Sequence, residues 1–130
     1  MSIEKKGIKG EVWIMKHEGK NRPFVIVTND YSAVELDHSI AKITSQAARD
    51  QFDIVLEDWE VAGLAKPSVV RCSKINTVLF TKLSYKIGKL SERDLNRVLE
   101  TIVNYFSPAQ ENQLEEQQEE KQDEQQHEEE

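Results

Sequence analysis

The chain has a single cysteine, Cys72. No intrachain disulfide can form, and a lone thiol suits a reducing compartment, so a cytoplasmic location is expected. Cys72 lies in an apolar run and reads as a small core residue rather than a nucleophile. The histidines, His17, His38 and His127, do not combine with it at zinc-ligand spacing. Neither a metal nor another cofactor is expected. No apolar run approaches the roughly 20 residues that cross a bilayer as a helix, and the N-terminus has no signal-peptide core, so no membrane association is expected. A Gly-rich phosphate loop and a nucleophile elbow are both missing, which removes the common nucleotide-binding and serine-hydrolase designs.

What is present divides unevenly. Residues 109–130 hold ten of the 24 acidic residues and one of the 17 basic ones, leaving 14 acidic against 16 basic in residues 1–108. The overall charge of −7 therefore hides a mildly basic body followed by a strongly acidic tail. Such a body permits nucleic-acid binding without requiring it. The tail is almost entirely Gln and Glu, with Leu114 its one large apolar residue, and cannot bury enough surface to offset the entropy of ordering it. Three regions follow: a flexible lead-in over residues 1–9, one domain over 10–108, and a disordered acidic tail over 109–130.

Two apolar runs, Val12-Trp13-Ile14-Met15 and Phe24-Val25-Ile26-Val27, flank a polar stretch over residues 16–22 that contains Gly19 and Asn21. Their β-branched and aromatic content predicts a hairpin with an irregular loop. Pro23 lacks an N–H and disfavours helix at Arg22, holding that arginine extended at the mouth of the second strand, where it can meet an anion. Asn29 to Ser32 offers turn chemistry. Further short strands are predicted over 39–46, 52–56, 68–72 and 77–80, with Gly63 and Pro67 punctuating the loop between the second and third of these. Several short strands at close spacing suggest a small barrel or a strongly bent sheet. Ser91 and Asp94 then form a capping-box variant, and Leu95, Val98, Leu99, Ile102, Val103 and Phe106 make one helical apolar stripe, stopped near Pro108. That stripe is core or subunit interface. Glu57, Asp58 and Glu60 read as an acidic loop open to water, and His17 and His38 as surface loop histidines.

The order of several segments carries a resemblance. Gly10-Glu11-Val12, the loop ending Arg22-Pro23 and the run Phe24 to Asp30 resemble the opening of the MazF/PemK family of toxin endoribonucleases. Ile43-Thr44-Ser45-Gln46, Gly63-Leu64, Ser68-Val69-Val70, Ile75-Asn76-Thr77-Val78 and Ile87-Gly88-Lys89-Leu90-Ser91 resemble later family segments, in the family's order. No one of these is diagnostic, but the ordered set over about residues 8–107 is.

The resemblance implies a mainly β fold, an SH3-like barrel of the CcdB/MazF/PemK type with a C-terminal helix. It implies the toxin of a type II toxin–antitoxin system: a homodimeric mRNA interferase that cuts single-stranded RNA without a metal, through the substrate's 2′-hydroxyl, and is restrained by a cognate antitoxin. On that reading Arg22 and Thr44 are the catalytic positions, and Lys20, Asn21, Ser45 and Gln46 bind RNA. A guanidinium can donate paired hydrogen bonds to a phosphorane and a threonine hydroxyl one more, so Arg22 is expected to stabilise the transition state. His17 is a secondary candidate for proton transfer. A gyrase-poisoning toxin of the same fold and a non-catalytic binding protein are the alternatives. The chain departs from the family pattern in a short first loop and in the acidic tail, which is expected either to aid solubility or to compete with RNA for the basic body.

Overall fold

The computed structural model describes residues 4–31 and 36–107. The acidic tail and the helix-stopping Pro108 lie outside the described residues. Six strands and a helix follow in chain order: β1 (Glu11–His17), β2 (Lys20–Ile26), β3 (Asp37–Thr44), β4 (Asp53–Val55), β5 (Val69–Leu79), β6 (Tyr85–Lys89) and α1 (Glu92–Phe106). They form one sheet in the order β4-β5-β3-β2-β1-β6, with every neighbouring pair antiparallel. The expected class, a bent barrel-like sheet with a C-terminal helix, is what the chain adopts. Among the described residues no helix is long and apolar enough to cross a membrane.

Alternation along the strands sorts the side chains into two cores. Val12, Val25, Ala41, Ile43, Val70 and Cys72 point to one face and pack with Leu56, Ala62, Leu90 and Val98. Met15, Phe24, Ile26 and Ile40 point to the other and pack with Leu83. Polar residues continue this second face beyond Phe24, which is where the functional candidates gather.

The hairpin is tighter than the sequence suggests. β1 and β2 pair as far as His17↔Lys20, so the connection is only Glu18 and Gly19, with φ of 53° and 77°. Positive φ at both central residues gives the mirror-image turn whose twist matches that of the flanking strands. The predicted irregular loop is therefore strand: Lys16, His17, Asn21 and Arg22 are polar because they are exposed or half-buried, and the ladder, not hydrophobicity, holds them extended. Strands 68–72 and 77–80 likewise prove to be one strand, β5, bent where Cys72, Ser73 and Lys74 intervene between the rungs Lys42↔Arg71 and Ala41↔Ile75. Extra residues on one side of a ladder bend and twist it. β6 went unrecognised because its Tyr85, Lys86 and Lys89 are exposed.

His38 is the clearest reversal, being buried rather than on a surface loop. One ring nitrogen, Nε2, lies 2.9 Å from the Lys6 carbonyl and must donate to it; Nδ1 lies 3.0 Å from Thr28 Oγ1. Residues 6–10 are tied down in the same way: Ile8 N donates to Glu11 at 2.8 Å and Gly10 N to Ile26 O at 2.8 Å.

The helix begins as the capping motif predicts, with Asp94 N donating to Ser91 Oγ at 3.3 Å. Leu95, Val98 and Ile102 of its stripe pack on the first core, whereas Val103 and Phe106 remain exposed.

Candidate functional site

Pairing between β2 and β3 starts at Phe24↔Lys42 and runs toward Ile26↔Ile40, so it stops one residue after Pro23. A proline has no N–H for a ladder and is tolerated where the neighbouring strand falls away. The same register carried two residues further would set Arg22 beside Thr44, the last residue of β3. Where the strands part, a cleft of about 330 Å³ opens, lined by Arg22, Pro23, Lys42, Thr44, Ser45 and Gln46 from the β2 and β3 ends and by Leu64, Ala65, Lys66 and Ser68 from the connection between β4 and β5.

The cleft is cationic. Arg22, Lys42 and Lys66 line it, and among the described residues no acidic side chain does. Among the described residues the Arg22 side chain has neither an ion-pair nor a hydrogen-bond partner, so its fork of donors is available to an anion. Thr44 is oriented for donation as well: its Oγ1 accepts from Gln46 N at 3.2 Å, leaving the hydroxyl proton to point elsewhere. An arrangement of one guanidinium, one hydroxyl donor and flanking ammonium groups can hold a phosphodiester and stabilise extra charge developing on its oxygens.

The second wall is fixed by contacts the sequence did not announce. Gly63, at φ +82°, and Gly88 let the connection after β4 lie directly on β6: a Cβ on Gly63 would sit 2.0 Å from Ile87 O, and one on Gly88 2.3 Å from Ala62 O. Only glycine fits at that crossing. Asp94 secures the start of the same segment. It is fully buried, and its carboxylate accepts from Glu57 N at 3.1 Å and Asp58 N at 2.8 Å. Of the acidic residues read as an open loop, Glu57 and Glu60 are exposed, but Asp58 takes two 2.7 Å hydrogen bonds from Arg93, and Glu57 lies 3.0 Å from the same guanidinium. Arg93, together with the Ser91 hydroxyl, holds the Asp58 carboxyl at about 2, well below the usual range. Among the described residues no group of three His, Cys, Asp or Glu side chains could hold a metal ion.

Of the residues singled out from sequence, Arg22, Thr44, Ser45 and Gln46 come together in the cleft. Lys20 and Asn21 do not line it; both are exposed near the hairpin turn. His17 is also outside, resting edge-on against Phe24 with ring centroids 5.7 Å apart. Sequence reasoning missed Lys42 and Lys66. Alternation along β3 could have suggested Lys42, which shares its face with Thr44, but nothing local marks Lys66 as facing them.

A family profile of PemK-like, MazF-like toxins of type II toxin–antitoxin systems matches residues 9–106. No curated protein sequence matches the chain. Among solved structures, the Mycobacterium tuberculosis toxin MazF-mt6 superposes with a TM-score of 0.64 at 27% identity, over 74% of this chain and 95% of that one. The MazE-MazF complex of Deinococcus radiodurans gives 0.63 at 17% identity over 76% and 93% of the two chains. A mycobacterial endoribonuclease in complex with its cognate antitoxin gives 0.61 at 16% identity over 79% and 100%. At such identities the last two speak to fold alone. The profile match, by contrast, takes in all six strands and α1, cleft included. The chain belongs to the PemK-like, MazF-like family of toxins of type II toxin–antitoxin systems.

Proposed function

We propose that this toxin is an endoribonuclease that cuts single-stranded RNA without a metal, and that a cognate antitoxin restrains it. The observation that carries the reading is the convergence of Arg22 and Thr44 in a cleft that Lys42 and Lys66 also line, where among the described residues the Arg22 side chain has no partner and no acid intrudes. In the reaction the substrate's 2′-oxygen gives up its proton and bonds to the adjacent phosphorus. The bond from phosphorus to the 5′-oxygen breaks, and that oxygen departs with a proton. The phosphorane between these events carries extra negative charge. Arg22 offers it two parallel donors and Thr44 a third, while Lys42 and Lys66 hold the flanking phosphates. A guanidinium offers donors and no acceptor, so Arg22 acts by stabilisation rather than as a base.

One protein of this fold was solved in complex with its cognate antitoxin and another as a MazE-MazF complex, which supports an antitoxin partner for this chain too. Exposed Val103 and Phe106 at the end of α1 support a homodimer, to be checked by sedimentation at micromolar concentration. The two-residue β1–β2 turn favours a second reading, an RNA-binding protein without catalysis, since that connection is too short to reach over the cleft.

Incubation of the purified protein with a long single-stranded RNA in EDTA separates these readings. Cleavage leaving 2′,3′-cyclic phosphate and 5′-hydroxyl ends is the expected result. Products with 5′-phosphates, or a requirement for added Mg²⁺, overturn the mechanism, and binding without cleavage favours the second reading.

A further inference from the structure

Arg71 is the most unusually placed cation in the protein. It sits in β5 with Lys42 opposite it on β3 and Asp53 opposite it on β4. Asp53 would be its natural partner, but that carboxylate is taken by Arg49, which reaches it through Nε at 2.8 Å, Nη2 at 3.1 Å and its backbone N at 2.9 Å. Arg71 instead donates from Nη2 to Gln46 Oε1 at 2.6 Å, while its Nε is buried without a partner. A guanidinium half-buried in the sheet thus directs a charge-assisted hydrogen bond at a neutral amide on the rim of the cleft.

That contact fixes which way the amide faces. Guanidinium groups only donate, so the atom meeting Arg71 has to be the amide oxygen. An oxygen already accepting from a cation is a poorer acceptor for a second donor, and Gln46 lines the cleft. What it can offer there is the Nε2 donor pair. A free glutamine amide pairs well with adenine by giving one hydrogen bond and accepting another at N7 and N6. With its acceptor half engaged, Gln46 keeps a donation to N7 but has no acceptor for N6, and its second donor faces the adenine amino group. Gln46 keeps the ability to donate to an acceptor edge such as O4 of uracil or O6 and N7 of guanine. Unstacked bases of single-stranded RNA present these edges.

We infer that Arg71 is a specificity-setting positioning residue. By holding Gln46 Oε1 it turns the amide donors into the cleft and biases the site toward uracil or guanine and against adenine at the base beside the bound phosphate. This rests on the proposed RNA-binding function of the same cleft.

The test measures binding of oligo(U) and oligo(A) of equal length by the full chain, at fixed salt, for wild type, Arg71→Lys, Arg71→Leu and Gln46→Leu. Thermal melts confirm that each variant is folded; Gln46 is exposed, so its variant provides a fold-neutral check. The informative quantity is the ratio of the two affinities. Loss of a charge behind the cleft weakens both oligomers together, and only a base contact moves the ratio. Wild type should favour oligo(U) by about tenfold, within the range that one base-edge contact supplies. Arg71→Lys, which can still donate to Oε1, should retain most of that bias. Arg71→Leu and Gln46→Leu should each reduce it to near unity. If wild type and Arg71→Leu show the same ratio, the positioning role is wrong while RNA binding stands. If no variant binds either oligomer, the RNA reading falls and this inference falls with it.

Discussion

Replacing Asp94 with alanine is the sharpest probe of how the fold holds the cleft. The side chain is fully buried and ends in a carboxylate that accepts from Glu57 N and Asp58 N, 36 or more residues earlier in the chain. Removing it leaves two backbone donors without partners. Hydrogen bonds to a charged acceptor contribute about 1.5–3 kcal/mol each, and an orphaned donor costs about 1–3 kcal/mol. Both amides are only partly buried, so water recovers some of this, and a total near 2–4 kcal/mol is expected. Loss of an acid from the first turn of α1 adds a few tenths, and alanine's better helix propensity returns a similar amount. For a domain of this size the melting temperature should fall by roughly 10–25 °C. Asp94→Asn keeps one acceptor but turns an N–H₂ toward the second amide, and should lose about half as much. Calorimetry or circular-dichroism melts of the three proteins at neutral pH provide the comparison. A fall of less than about 3 °C for Asp94→Ala would refute the reasoning, because the two amides would then have been satisfied some other way.

Arg22→Ala and Thr44→Ala should each lower RNA cleavage by about 10²–10³, as loss of one preorganised donor does, without a matching loss of stability; full activity in a folded Arg22→Ala protein would remove this site from consideration. His38 gives a pH dependence. Burial pushes its imidazole below the usual value, so the unfolded chain binds more protons, and stability is complete above about pH 6.5 and declines as the pH falls through the folded value. Urea midpoints of the wild type should therefore drop between about pH 7.5 and pH 5.5 by more than those of His38→Gln, which cannot gain the charge; equal drops would contradict the assignment. Burial, with Asp53 nearby, pushes the Cys72 thiol up to about 12, so a thiol-specific reagent at mildly alkaline pH should label it only after unfolding, and prompt labelling of the native protein would place the sulfur outside the core.

The sequence alone determined the parts of this protein that depend on local pattern. Short apolar runs rich in β-branched and aromatic residues marked β1 to β4, and the Ser91–Asp94 cap with its apolar stripe marked α1 to within a residue of its observed start. The resemblance, carried by short ordered motifs, brought Lys20, Asn21, Arg22, Thr44, Ser45 and Gln46 forward as one group; the last four share a cleft, and Lys20 and Asn21 lie outside it. Tertiary structure decided the rest. Strand length in the hairpin depended on hydrogen bonds between β1 and β2, which run through polar residues that no hydrophobic pattern would extend. The continuity of β5 depended on a bulge opposite β3, visible only once the partner strand is in place. Asp94 looked like a helix cap and turned out to hold a loop 36 residues away, and His38 looked exposed and proved to be core. Lys42, Lys66 and Arg71 reach the site or its rim from different rungs and loops of the sheet. Periodicity reports which face a residue takes along its own strand; which distant residue it meets there is decided by register, bulges and glycine-permitted crossings, all properties of pairs of segments rather than of either one.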